Sequence, residues 1–171
     1  MRRRDREVQD VDEAFGILSR CDTVRIGISG EKHPYVVPVS FGAEMAGGKP
    51  VVYFHCARQG LKLDLLRANA LVCVEGDVFL GVETTEHGIT ARYESVIGFG
   101  ACEFVEDEDE AVHGLRLLTG HYGYGDYPLD RCGSMERLLI GKVVLDAITG
   151  KRNLPGFPTT ADLESGERPR A

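Results

Sequence analysis

Six apolar stretches of strand length, most of them bounded by turn formers, constrain this chain more than any other feature. They are TVRIGIS (23–29), PYVVPVSFGAEM (34–45), PVVYFHCA (50–57), ALVCVEGDV (70–78), TARYESVIGFGACEFV (90–105) and ERLLIGKVVLDAITG (136–150). Alternation with a period of two places one face of such a run in a core and the other outward. Twenty-one glycines among 171 residues supply the turns between them. Only three stretches carry a helical period. DVDEAFGILSRC (10–21) opens with Asp10 three residues before Glu13, a capping-box spacing, and puts Ala14, Ile17, Leu18 and Cys21 on one face. Residues 58–69 predict a short helix with Leu61, Leu65 and Ala68 on one side, and 106–123 predict a longer one with the stripe Ala111, Leu115, Leu118. The expected fold is mainly β with inserted helices, an antiparallel barrel of about six strands under helical cover.

Inside these runs two features stand out. Pro38 cannot donate to a ladder, so it marks an edge, a bulge or a ligand-facing break. Gly98 and Gly100 share a face of the fifth run, where the missing side chains either kink a barrel or admit something flat. A doubly wound sheet is disfavoured, because strands and helices do not alternate and Gly123-Tyr124-Gly125 follows no strand.

The 43% hydrophobic content suffices for one core, expected over residues 1–155, with a Pro/Gly-rich charged tail over 156–171. A net charge of −7 disfavours nucleic acid and anionic membranes, both of which select basic faces. MRRRDRE precedes no apolar segment, and no run reaches bilayer length, so a soluble cytoplasmic protein is expected. Five cysteines (Cys21, Cys56, Cys73, Cys102, Cys132) form an odd set without a C-x-x-C pair, which argues against disulfides and zinc. Cys73 and Cys102 read as small buried hydrophobes. His33, His87, His113 and His121 have no metal-ligand spacing and read as surface or capping residues.

The densest chemistry lies in VVYFHCARQGLKLDLL (51–66). Arg58 and Lys62 are four apart, so on a helix they leave one face near its positive N-terminus, an arrangement suited to phosphate. A solvated face with Asp64 as counter-charge is the alternative. The position directly after a strand, with Gly60 easing backbone approach, favours the phosphate. Alternation sends Val51, Tyr53, His55 and Ala57 one way and Val52, Phe54 and Cys56 the other. His55 therefore faces a ligand while Cys56 packs inward, or the reverse.

These residues resemble the flavin-binding split-barrel superfamily that includes pyridoxamine 5'-phosphate oxidase. MRRRDRE, CDTVRIGI, HPYVVPVSFG, YFHCARQGLKLDLL and YESVIGFGACEFVED resemble, in order and spacing, its nitroimidazole-resistance branch. The resemblance implies a six-stranded antiparallel split barrel and a homodimer holding two flavin mononucleotides (FMN) between subunits. It implies Arg58 and Lys62 as phosphate ligands, Val37, Pro38, Val39 and Ser40 along the ring, and His55, Cys56 and Ala57 beside it. Ser95 falls where the superfamily takes a polar residue from the partner chain. The basic C-terminal motif for pyridoxamine phosphate is not recognisable in ITGKRNLPGF, so vitamin B6 oxidation is not the favoured activity.

The implied activity is flavin-dependent reduction of a nitroaromatic compound such as a 5-nitroimidazole, with small-molecule donor and acceptor. His55 flanks the ring and either hydrogen-bonds the acceptor or donates a proton. The alternative is a haem-binding or haem-sensing protein of the same fold with His55 as axial ligand, the one metal role expected here. A deazaflavin would suit the same basic residues.

Overall fold

A computed structural model of the chain describes residues 3–86, 88–129 and 138–156. His87, Cys132 and the tail from residue 157 onward lie outside the described residues.

A short 3-10 turn at Arg4–Arg6 leads into β1 (Glu7–Val8) and then α1 (Val11–Leu18). The Asp10 carboxylate accepts the Glu13 backbone N–H at 2.9 Å and so begins this helix where the spacing predicts. Ala14, Ile17, Leu18 and Cys21 are all buried, as their shared face requires. β2 (Val24–Ile28) and β3 (Tyr35–Val39) form a hairpin, followed by β4 (Phe41–Ala46) and β5 (Lys49–Ala57). PYVVPVSFGAEM is thus two strands rather than one. The chain leaves one pairing at Ser40 and enters another, because β3 pairs with β2 and β4 with β5. Pro38 sits on β3, which ends the sheet path, so its missing donor leaves no inner ladder broken.

After α2 (Leu61–Ala68), β6 (Leu71–Thr85) and β7 (Gly88–Phe104) make one long hairpin. The polar stretch ETTEHG therefore lies largely within paired strand, with Glu83 opposite Thr90 and Thr84 opposite Ile89. The base of its outer half is held by Arg92, only 6% exposed. Arg92 donates to Glu83 at 2.6 Å, Asn153 Oδ1 at 3.1 Å and the Leu154 carbonyl at 2.9 Å. α3 (Glu108–His121) and β8 (Leu138–Asn153) complete the chain.

The strands of the described residues form one eight-stranded antiparallel sheet in the order β3-β2-β6-β7-β8-β5-β4, with β1 added on β8. Expectation differs here in number and closure: eight strands replace six, and the ladder path is open rather than closed. The main core packs α1 against Phe41, Phe54, Val74, Val143 and their neighbours. A second cluster lies where α3 covers Val51 and Tyr53 on the opposite face of β5. Gly114 permits that packing, since a Cβ there would meet the Tyr53 ring at 2.7 Å.

Gly98 and Gly100 face the core, and the chain itself takes up the space they leave. A Cβ on Gly98 would meet Leu145 Cδ1 at 2.7 Å. A Cβ on Gly100 would collide with the Val144 carbonyl, because β8 bulges toward β7 between their Phe99 and Gly100 pairings. On the side a Cβ would occupy, the pair therefore serves the kinked sheet, while Gly100 also lines a cavity of about 640 Å³ with Phe99 and Cys73.

Candidate functional site

β5 emerges from under α3 at its C-terminal end, and that exit decides how its last residues are used. Val51 and Tyr53 are buried by α3, whereas His55, on the same face, lies beyond the helix and is exposed. Cys56 points the other way into the main core, 7% exposed. The strand pairs with β8 to its end, His55 opposite Ile140 and Ala57 opposite Leu138.

Beyond Ala57 the backbone turns through Arg58, Gln59 and Gly60, whose φ of 129° only glycine adopts readily. α2 begins at Leu61, with Gly60 as its N-cap and no side chain capping it. The predicted helix therefore starts three residues late, and Arg58 lies before it. Arg58 and Lys62 are not an i,i+4 pair on one helical face. The apolar stripe is shifted too: Leu63 and Leu66 are buried, while Leu61 is 57% exposed.

His55, Cys56, Ala57, Gln59 and the start of α2 from Gly60 to Leu63, Lys62 included, line an open cavity of about 550 Å³ together with Tyr35 and Leu138. Lys62 Nζ stands 5.4 Å from the centre of the Phe54 ring. Among the described residues no carboxylate lies within ion-pair distance of it. Partial desolvation, and then the Lys62 charge, lower the His55 pKa from its ordinary 6.5, so the neutral imidazole is favoured. Burial raises the Cys56 thiol while Lys62 pulls it down. An anion entering here would meet one ammonium and the uncapped first turn of α2, with a neutral imidazole alongside. A flavin phosphate fits that donor set.

The remaining expected residues are distributed differently. Val37 and Val39 turn toward the core and Pro38 and Ser40 outward, and none of the four lines this cavity; Tyr35 represents β3 there instead. Arg58 lines a neighbouring cavity with Arg67. Ser95 lies on the outer face of β7 between Asp77 and Lys151. Lys151 is eleven positions along β8 from Ile140, the partner of His55, or about 36 Å of extended strand. Ser95 and His55 therefore do not meet within one chain. Tyr35 and Leu138 escape sequence reasoning. Tyr35 is signalled only by alternation two residues before Val37, and Leu138 depends on the pairing of β5 with a strand some eighty residues later.

The sequence profile described as pyridoxamine 5'-phosphate oxidase matches residues 10–152. No curated protein sequence matches significantly. Among solved structures, a candidate 5-nitroimidazole antibiotic resistance protein from Bacteroides thetaiotaomicron is 29% identical, with a TM-score of 0.69 and 85% of each chain covered. The FAD and haem binding protein from Mycobacterium smegmatis is 19% identical at a TM-score of 0.73, covering 94% of this chain and 79% of that one. The flavocytochrome Anf3 from Azotobacter vinelandii is 17% identical at 0.70, covering 92% and 74%. The latter two likenesses concern the fold alone, and all three fit a split barrel.

Proposed function

The chain belongs to the pyridoxamine 5'-phosphate oxidase family of flavin-binding split barrels, and from that premise we propose that it is an FMN-dependent reductase of nitroaromatic compounds. The observation that carries the reading is the cavity where Lys62, which has no carboxylate partner among the described residues, and neutral His55 meet the uncapped start of α2. Flavin, when bound, supplies the transfer of an electron pair from a reduced nicotinamide to the acceptor. Lys62 and the free N–H groups of the first turn hold the phosphate. His55 donates a hydrogen bond from the one N–H of its neutral ring to an acceptor oxygen, and the proton that accompanies the electrons comes from solvent. Tyr35 and Leu138 narrow the cleft against water. A deazaflavin would use the same grip.

The working unit is a homodimer. Leu71, Ile97 and Phe99 share the outer face of β6 and β7 and are 66%, 43% and 56% exposed, an apolar patch suited to a second copy. Ser95 lies on that face, so its family role requires the partner subunit.

The test is the absorption spectrum of the purified protein, followed by nicotinamide oxidation in the presence of a 5-nitroimidazole. A bound flavin that turns over is the expected result. Lys62→Ala should weaken flavin binding by about 1.5–3 kcal/mol, roughly ten- to a hundredfold. A protein without flavin, or a Lys62→Ala variant that binds it undiminished, defeats the reading. One observation favours a second reading as a haem protein: His55 is exposed and held neutral, the form that ligates iron. A Soret band lost in His55→Ala would establish it.

A further inference from the structure

The outer half of the β6–β7 hairpin stands clear of the rest of the sheet. β2 pairs with β6 only as far as Gly76, and β8 pairs with β7 only as far as Tyr93. From Val82 to Ala91 the two strands pair only with each other among the described residues. A bare two-stranded ribbon is marginally stable in water and needs cover on a face. One face is anchored at its base, where Arg92 donates to Glu83 and Asn153 donates to Thr90 and the Ala91 carbonyl. The other face carries Phe79, Val82 and Ile89, all exposed. Cross-strand pairing and alternation put these three on the same side as Ile97 and Phe99.

We propose that residues 79–91 are a clasp for a second copy of this chain, laid across the start of its α2 and walling its open His55 cavity. The patch around Ile97 sets the geometry. Ile97 is nine positions from Gly88 at the turn and seven from Phe104, whose partner Gly141 is three from Leu138. The patch therefore lies about midway between the ribbon tip and the Leu138 wall of the cavity. Within one chain the two ends cannot meet: fifteen positions of β8 separate Leu138 from Asn153, about 50 Å of extended strand. A two-fold axis at the patch that reverses strand direction brings each tip to the other copy's cavity, and the contact forms twice. The surfaces match as well. Leu61 is exposed at the start of α2, and that helix carries Lys62 and Arg67 against Asp64. The ribbon carries Glu83 and Glu86 and no lysine or arginine. Apolar contact supplies the affinity, and opposite charge fixes the register. The assignment deepens the flavin reading and rests on it for the homodimer.

The experiment puts the photo-cross-linker benzoylphenylalanine in place of Ile89 in the full-length protein and maps the products by peptide mass spectrometry. A cross-linked dimer is expected, with the bridge falling on the partner subunit's α2. A variant carrying Val82→Lys and Ile89→Lys should raise the dimer dissociation constant in sedimentation tenfold or more, and release bound flavin at least tenfold faster. A thermal melt checks that this variant folds. A dimer that does not cross-link, a bridge to another face, a monomeric wild type, or a folded double variant with unchanged dimerisation and flavin release overturns the assignment. Failure of the flavin reading would appear separately, as a flavin-free protein that still cross-links through α2.

Discussion

His55 shows how one lysine sets the chemistry of a neighbour. Desolvation and the Lys62 charge both favour the neutral ring, so its folded pKa lies below 6.5. The unfolded chain therefore takes up a proton first as pH falls. Stability drawn from the neutral ring is present above about pH 6.5 and is lost as pH drops through the folded value. His55→Gln should flatten this part of the pH–stability curve. In Lys62→Met the His55 pKa, followed by NMR titration, should rise; an unmoved value would mean that the ammonium does not act on the ring. The thiols differ by burial in the same way. Burial pushes Cys21 up to about 11 and Cys102 up to about 12. Cys73 is only partly covered. Iodoacetamide on the native protein, read by peptide mass spectrometry, should modify Cys73 well before Cys21 or Cys102.

At the scale of elements, the bulge on β8 does most to shape the sheet. Gly100 accepts the β8 backbone where any side chain would meet the Val144 carbonyl. Gly100→Ala should cost about 3 kcal/mol in urea denaturation, at the upper end of ordinary overpacking because backbone cannot step aside. A loss under about 1 kcal/mol would show that β8 relaxes freely. The start of α1 is read correctly from its capping spacing, with Asp10 accepting the Glu13 backbone N–H; α3 begins two residues later than expected, at Glu108, where Asp107 accepts the Glu110 backbone N–H. The start of α2 was misread because no side chain caps it: Gly60 breaks the period at a positive φ that composition alone does not reveal.

For the whole molecule, the exposed apolar stripe on β6 and β7 is the surface on which the proposed dimer rests. It continues onto the long hairpin, where Phe79, Val82 and Ile89 are 64%, 64% and 78% exposed. Sedimentation should find a dimer, and Phe99→Lys should shift it toward monomer with lower flavin occupancy. A monomeric wild type that keeps full flavin would remove the need for Ser95 from a second chain. No described helix is long and apolar enough to cross a membrane.

Strand content, the α1 start and the turn of His55 and Cys56 to opposite faces follow from local rules of period and capping, which are written along the chain. Period alone does not choose the edge for Pro38 or which face of β5 turns inward. The proximity of His55 and Lys62 also follows, since seven residues of strand, turn and helix connect them. Tertiary structure alone decided that Arg58 and Lys62 diverge, that Tyr35 and Leu138 complete the cavity, and that Gly98 and Gly100 are filled by β8. Each of those depends on which strands pair and in what register, and pairing is settled by burial across the whole sheet rather than by any neighbouring residue.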